Sequence, residues 1–168
     1  MISVFDIFKI SIGPSSSHTV GPMKAGKHFV DTLQEKKVTR LVVDVYGSLS
    51  LTGKGHHTDI AIILGLSGYL PDTVDIDAIP SIIRDVNAMH RLFIEEGKRE
   101  IEFPVAECMR FHNEFLPLHE NGMSITAFCD GKIAHFQTYY SIGGGFIVTE
   151  ENFGKSQGAD VDIPFPFY

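Results

Sequence analysis

The dipeptide Asp130-Gly131 stands between two runs rich in β-prone residues, Met123–Cys129 and Lys132–Tyr140. A two-residue hairpin turn needs positive φ at both positions, which Asp tolerates and Gly adopts freely. An antiparallel pair is therefore expected here, and an all-helical fold is excluded. Upstream the pattern changes. From Val20 to Lys37 the apolar residues Val20, Met23, Phe29, Val30 and Leu33 recur at near-helical spacing, and Pro22 is tolerable only in a first turn, which puts the helix start near Thr19. Thr39–Tyr46 is short and β-branched, hence a strand. A glycine-rich loop is expected from Gly47 to His57, after which Thr58 or its neighbour caps a buried helix over Asp59–Leu66 that ends near Gly68.

Pro71 to Asp77 reads as a polar loop. Pro80 opens a third helix, with Ile79, Ile82, Ile83, Val86, Met89 and Phe93 on one face and Gly97 as its stop. Arg99–Phe103 alternates and is expected to be a strand ended by Pro104. The order helix, strand, helix, helix and then three strands predicts an α+β domain with one mixed sheet and helices mainly on one face. At Tyr139–Phe146 the hairpin ends in three glycines, which suits either a close backbone approach or a plain turn.

With 168 residues, 43% apolar and 21% charged, the chain fits one soluble globular domain with a real core. No apolar run approaches the roughly 18 residues that span a bilayer, and the first residues lack the pattern of a signal peptide. Two cysteines, Cys108 and Cys129, fit a reducing compartment, so a cytoplasmic protein is expected. A net charge of −7 argues against nucleic-acid binding, because no basic patch is available to displace counterions.

Chemistry concentrates in two places. Gly13-Pro14-Ser15-Ser16-Ser17-His18-Thr19 sets four hydroxyls and an imidazole where the first helix begins. Helix starts expose N–H groups and the positive end of the peptide dipoles, so they suit an anion. Each hydrogen bond to a carboxylate is worth about 1.5–3 kcal/mol. An ordinary N-cap is the plainer explanation, although a cap needs only one such residue.

The second place is Gly47–Asp59. It looks like a phosphate-binding loop and fails the test. Five residues rather than four separate Gly47 from Gly53-Lys54, and Gly55 stands where Ser or Thr is required. Its glycines instead bring His56, His57 and Asp59 to a helix start, with an imidazole suited to proton transfer and a carboxylate able to fix its tautomer. A zinc site is weighed and set aside: His112 and His119 flank Glu114, yet neither a His-Glu-x-x-His nor a paired Cys-x-x-Cys motif is present. His119-Glu120-Asn121-Gly122 is explained equally well as turn chemistry.

Three long motifs, Gly13–Met23, Gly47–Asp59 and Tyr139–Phe146, strongly resemble the iron–sulfur L-serine dehydratases of bacteria, in that family's order. The resemblance runs from Met1 to about Phe153 and is to the N-terminal, or β, domain. It implies a β domain over 1–150, with 151–168 as a linker toward a C-terminal domain that carries a [4Fe–4S] cluster. It implies conversion of L-serine to pyruvate and ammonia, with one iron acting as Lewis acid on the substrate hydroxyl. Cys108 and Cys129 are too few to hold such a cluster, so no metal is expected on this chain, which alone should be inactive. By position, Ser15, Ser16, Ser17 and Thr19 become substrate-binding residues, and His18, His56, His57 and Asp59 catalytic ones, with His56 favoured for proton transfer. The β domain also resembles the serine-binding intervening domain of some phosphoglycerate dehydrogenases. That likeness implies a regulatory L-serine site, for which His119 and Asn121 are candidates, and a homodimer through this domain. The partners expected are thus L-serine, the C-terminal cluster domain and a second copy, with no nucleic acid and no membrane. The competing reading is a stand-alone module that senses L-serine, against which the aromatic tail Pro164–Tyr168 argues; a zinc hydrolase is a distant third.

Overall fold

Four antiparallel pairings and two parallel ones build a single mixed sheet of seven strands, against which the helices pack. The computed structural model describes residues 18–33, 37–53, 58–94, 99–143 and 145–153. In chain order the elements are α1 (Val20–Asp31), β1 (Arg40–Val45), α2 (Gly47–Gly53), α3 (Thr58–Leu66), a 3-10 turn (Ile76–Ala78), α4 (Ile79–Met89), β2 (Arg91–Ile94), β3 (Arg99–Glu102), α5 (Val105–Cys108), β4 (Met109–Phe111), β5 (Gly122–Cys129), β6 (Lys132–Gly143) and β7 (Phe146–Thr149). The expected α+β class with one mixed sheet holds.

The strand order is β2-β3-β1-β5-β6-β7. One edge of β1 takes β3 and then β4, both parallel to it, with Arg40 opposite Glu102 and Val43 opposite Met109. The short α5 lies between those two strands in the chain. The other edge of β1 pairs antiparallel with β5, and β5, β6 and β7 form a meander. The expected hairpin is present, with Asp130 at φ 52° and Gly131 at φ 84°, the positive pair its turn requires. Leu41, Val43 and Val45 of β1, Ile125 and Ala127 of β5 and Tyr139 of β6 meet Phe29 of α1 and Ile62 and Ile63 of α3 in one core.

Three expectations need correction. Gly47–Gly53 is a helix rather than part of a loop. Its first amides bond outside the helix: Gly47 N–H donates to the Glu114 carbonyl and Ser48 N–H to that of Glu120, both at 2.8 Å. Next, α4 stops at Met89, because His90 turns left-handed at φ 57° and ψ 36°. Phe93, expected on its face, lies instead in β2, whose partner β3 sets Leu92 opposite Ile101. Finally, α1 ends at Asp31, short of Lys37. Of the two readings open for the glycines after Tyr140, the turn holds for Gly143 and Gly145, which at φ 102° and 80° stand at the end of β6 and just before β7.

The helix pair α1 and α3 crosses unusually closely. A Cβ on Gly65 would sit 2.0 Å from the Met23 carbonyl oxygen, and one on Gly26 would sit 2.9 Å from the Leu66 nitrogen. These glycines let two backbones meet directly. Among the described residues, no helix is long and apolar enough to cross a membrane.

Candidate functional site

The close crossing brings the starts of α1 and α3 side by side. Thr19 is the N-cap of α1, at φ −128° and ψ −64°, and its side chain makes no capping hydrogen bond. Among the described residues, then, no hydroxyl of the helix itself covers the first-turn amides, and Pro22 brings none of its own. Thr58, fully buried at the start of α3, donates its hydroxyl to the His18 carbonyl at 2.6 Å. Asp59, next in the chain, accepts from the Ile60 N–H at 2.9 Å and puts a carboxylate at the first turn.

The His18 imidazole is held below its ordinary pKa by burial, against the opposing pull of the Glu120 carboxylate. At neutral pH it is thus predominantly uncharged and able to accept a proton. Glu120 was not singled out from the sequence, where it reads as turn chemistry. Its backbone carbonyl anchors α2, and a Cβ on Gly47 would lie 2.2 Å from that oxygen.

Of the predicted site residues, the structure joins the His18–Thr19 end of the first motif to Thr58–Asp59 of the second. Ser15, Ser16, Ser17, His56 and His57 lie outside the described residues. His119 and Asn121 do come together: the Asn121 N–H donates to His119 Nδ1 at 3.0 Å. Asn121 is 7% exposed and spans to β6, with its amide nitrogen donating to the Ser141 carbonyl at 3.2 Å and its own carbonyl accepting from the Ser141 N–H at 2.9 Å. Its Oδ1 has no hydrogen-bond partner among the described residues. A buried amide oxygen left this way costs stability and is suited to take a donor such as an ammonium group. The His119 ring meets Tyr140 and Phe153 edge-on.

Ser141 also connects this pair to α1. A Cβ on Gly21 would fall 2.1 Å from Ser141 Oγ, so the first turn of α1 rests on the residue that Asn121 grips. The hairpin end seals the same turn, since a Cβ on Gly145 would approach Val20 Cγ1 to 3.0 Å. Thr58 and Ser141 were missed as site residues. Thr58 adjoins His57, which was the available signal; Ser141 carried none beyond the neighbouring glycines.

The histidine weighed for zinc has other work. His112 Nε2 bonds Asp44 Oδ1 at 2.7 Å, and its ring stacks on Tyr46 at 4.7 Å. Arg110 completes this cluster through two bonds to Asp44, at 2.7 and 3.1 Å. Among the described residues no three His, Cys, Asp or Glu side chains are grouped to hold a metal ion. Cys108 is fully buried, and burial pushes its thiol up despite the nearby Arg40. Two thiols, one of them so enclosed, do not fit a four-iron cluster.

Comparison with known proteins gives the same direction. A family described as serine dehydratase beta chain matches residues 3–152. The chain is 68% identical to L-serine dehydratase 2 of Escherichia coli (strain K12) over 171 residues, which is 99% of this chain and 38% of that protein. It is 56% identical to the L-serine dehydratase of Haemophilus influenzae, covering 99% of this chain and 38% of the relative. With the L-serine dehydratase of Streptomyces coelicolor the identity is 41%, again over 99% of this chain and 38% of the relative. The chain therefore spans well under half the length of these relatives. The chain belongs to the serine dehydratase beta chain family.

Proposed function

We propose that this chain is the substrate-holding part of an L-serine ammonia-lyase, which converts L-serine to pyruvate and ammonia. The observation that carries the reading is the Thr58 hydroxyl on the His18 carbonyl, which ties the two polar motifs into one place. In this reading Ser15, Ser16, Ser17 and Thr19, with the first amides of α1, hold the substrate carboxylate. His56 removes the α-proton, and His57, His18 and Asp59 are the other catalytic residues of this reading. The substrate hydroxyl leaves as water, and the resulting aminoacrylate takes up water to give pyruvate and ammonia. The [4Fe–4S] cluster belongs, on this proposal, to the C-terminal part that the longer relatives have beyond the aligned region, because the thiols of this chain do not suit it. Residues 151–168 then form the connection, and this chain alone is inactive.

A second L-serine is proposed to bind at His119 and Asn121 as a regulator. Support comes from the buried Asn121 Oδ1, which has no hydrogen-bond partner among the described residues. A homodimer and a cytoplasmic setting go with the same reading. The test uses the full-length protein and L-serine, with pyruvate as the product measured. His56→Ala should lower kcat by about 10²–10⁴. Near-normal turnover in that variant would remove His56 from the mechanism.

A further inference from the structure

We propose that a cavity between α3, α4 and β2 binds a small organic cation, a primary ammonium group carried on an aromatic or branched aliphatic body; this goes beyond the lyase reading and does not depend on it. The cavity has a volume of about 420 Å³ and is lined by Ser67, Tyr69, Ile82, Asp85, Val86 and Phe93. Its size and its apolar walls with few polar groups are those of a small-molecule site. Val86 is buried, whereas Tyr69, Ile82 and Phe93 are only half-buried. Apolar wall therefore still meets water here, and a ligand with an apolar body would cover it.

The polar groups decide the charge of that ligand. Ser67 donates both its N–H and its hydroxyl to the Ile63 carbonyl, at 3.0 and 2.9 Å. Gly68 N–H donates to the Gly65 carbonyl at 2.9 Å, and Tyr69 N–H to that of Leu64 at 3.0 Å. The donors of this turn are thus spent on the last carbonyls of α3, at the negative end of that helix. Acceptors remain: the Ser67 Oγ lone pairs and the Asp85 carboxylate, which is exposed and makes no hydrogen bond or ion pair among the described residues. Arg84 beside it turns instead to Ser81 Oγ at 3.4 Å. The Tyr69 hydroxyl can donate or accept. An ammonium group matches acceptors, a carboxylate and a helix C-terminus at once, and the rings of Tyr69 and Phe93 attract a cation as well. A free amino acid does not match, because its own carboxylate would face Asp85 and the same helix end. The class of ligand is therefore the amine left when an aromatic or branched-chain amino acid loses its carboxylate. L-Serine lacks the apolar body and carries the unwanted charge, so this is not a serine site.

The experiment titrates phenethylamine into the full-length protein carrying labelled isoleucine and valine methyl groups. Saturable shifts of the Ile82 and Val86 signals are expected. Three control compounds share parts of the probe: 2-phenylethanol lacks the charge, methylammonium lacks the body, and L-phenylalanine adds a carboxylate. Each should bind about tenfold more weakly or worse, the effect of one lost interaction of this kind. Asp85→Asn should weaken phenethylamine about threefold, since an exposed carboxylate contributes modestly, and Asp85→Lys about tenfold. Both changes should leave 2-phenylethanol as it was; because Asp85 is exposed, neither disturbs the core. Absence of shifts at Ile82 and Val86 overturns the proposal. So does equal binding of 2-phenylethanol or L-phenylalanine, or wild-type affinity in Asp85→Lys. No turnover enters the measurement, so its failure leaves the lyase reading untouched.

Discussion

Replacing Asp44 by asparagine removes a buried charge on which Arg110 and His112 converge. The side chain is 8% exposed and accepts from Arg110 Nε at 2.7 Å, Arg110 Nη2 at 3.1 Å and His112 Nε2 at 2.7 Å. Bonds to a charged group are worth about 1.5–3 kcal/mol each, but Arg110 is 55% exposed, so solvent screens its share. A net loss of about 2–3 kcal/mol follows. For a chain of this size that lowers Tm by about 5–10 °C. Burial alone would raise the Asp44 pKa, and the bonds from Arg110 and His112 overcome it, leaving the carboxyl below its ordinary value. A depressed folded pKa means the contribution is complete above the unfolded value, about 3.9, and fades as pH falls through the folded one. Thermal unfolding of wild type and Asp44→Asn should therefore differ most near neutral pH and converge in acid. Equal Tm values at neutral pH, or a gap that persists undiminished into strong acid, would refute the reasoning.

Two further substitutions probe the scaffold. Gly65→Ala drives a methyl to 2.0 Å from the Met23 carbonyl oxygen, so urea denaturation should show a loss of about 3 kcal/mol, the upper end for overpacking. His90→Gly relieves a left-handed residue at the end of α4. The relief of about 1 kcal/mol is partly offset by the greater chain entropy of glycine, and a small gain of about 0.5 kcal/mol in the same assay is expected.

The hairpin was legible because Asp130-Gly131 carries its own backbone requirement. Pro22 and Pro80 marked first turns for the same reason. What escaped depended on tertiary partners. Nothing local announces that His90 adopts positive φ, and Met89 and Phe93 are spaced as on a helix, so the pattern ran past the true end into β2. The helix Gly47–Gly53 has two glycines and poor propensity. It forms where carbonyls of Glu114 and Glu120 receive its first amides, and those lie far along the chain. The site followed the same rule. The residue types at Ser15–Thr19 and His56–Asp59 pointed to anion binding and proton transfer, while the bond that unites the motifs, Thr58 to His18, exists only once α1 has crossed α3.

The most direct trial compares L-serine with L-serine amide, in which a neutral amide replaces the carboxylate, as substrates of the full-length protein. Wild type should favour the acid strongly in kcat/KM, and Ser16→Ala and Thr19→Val should each shrink that preference by about tenfold. A preference that both variants leave intact would mean the start of α1 does not grip the carboxylate.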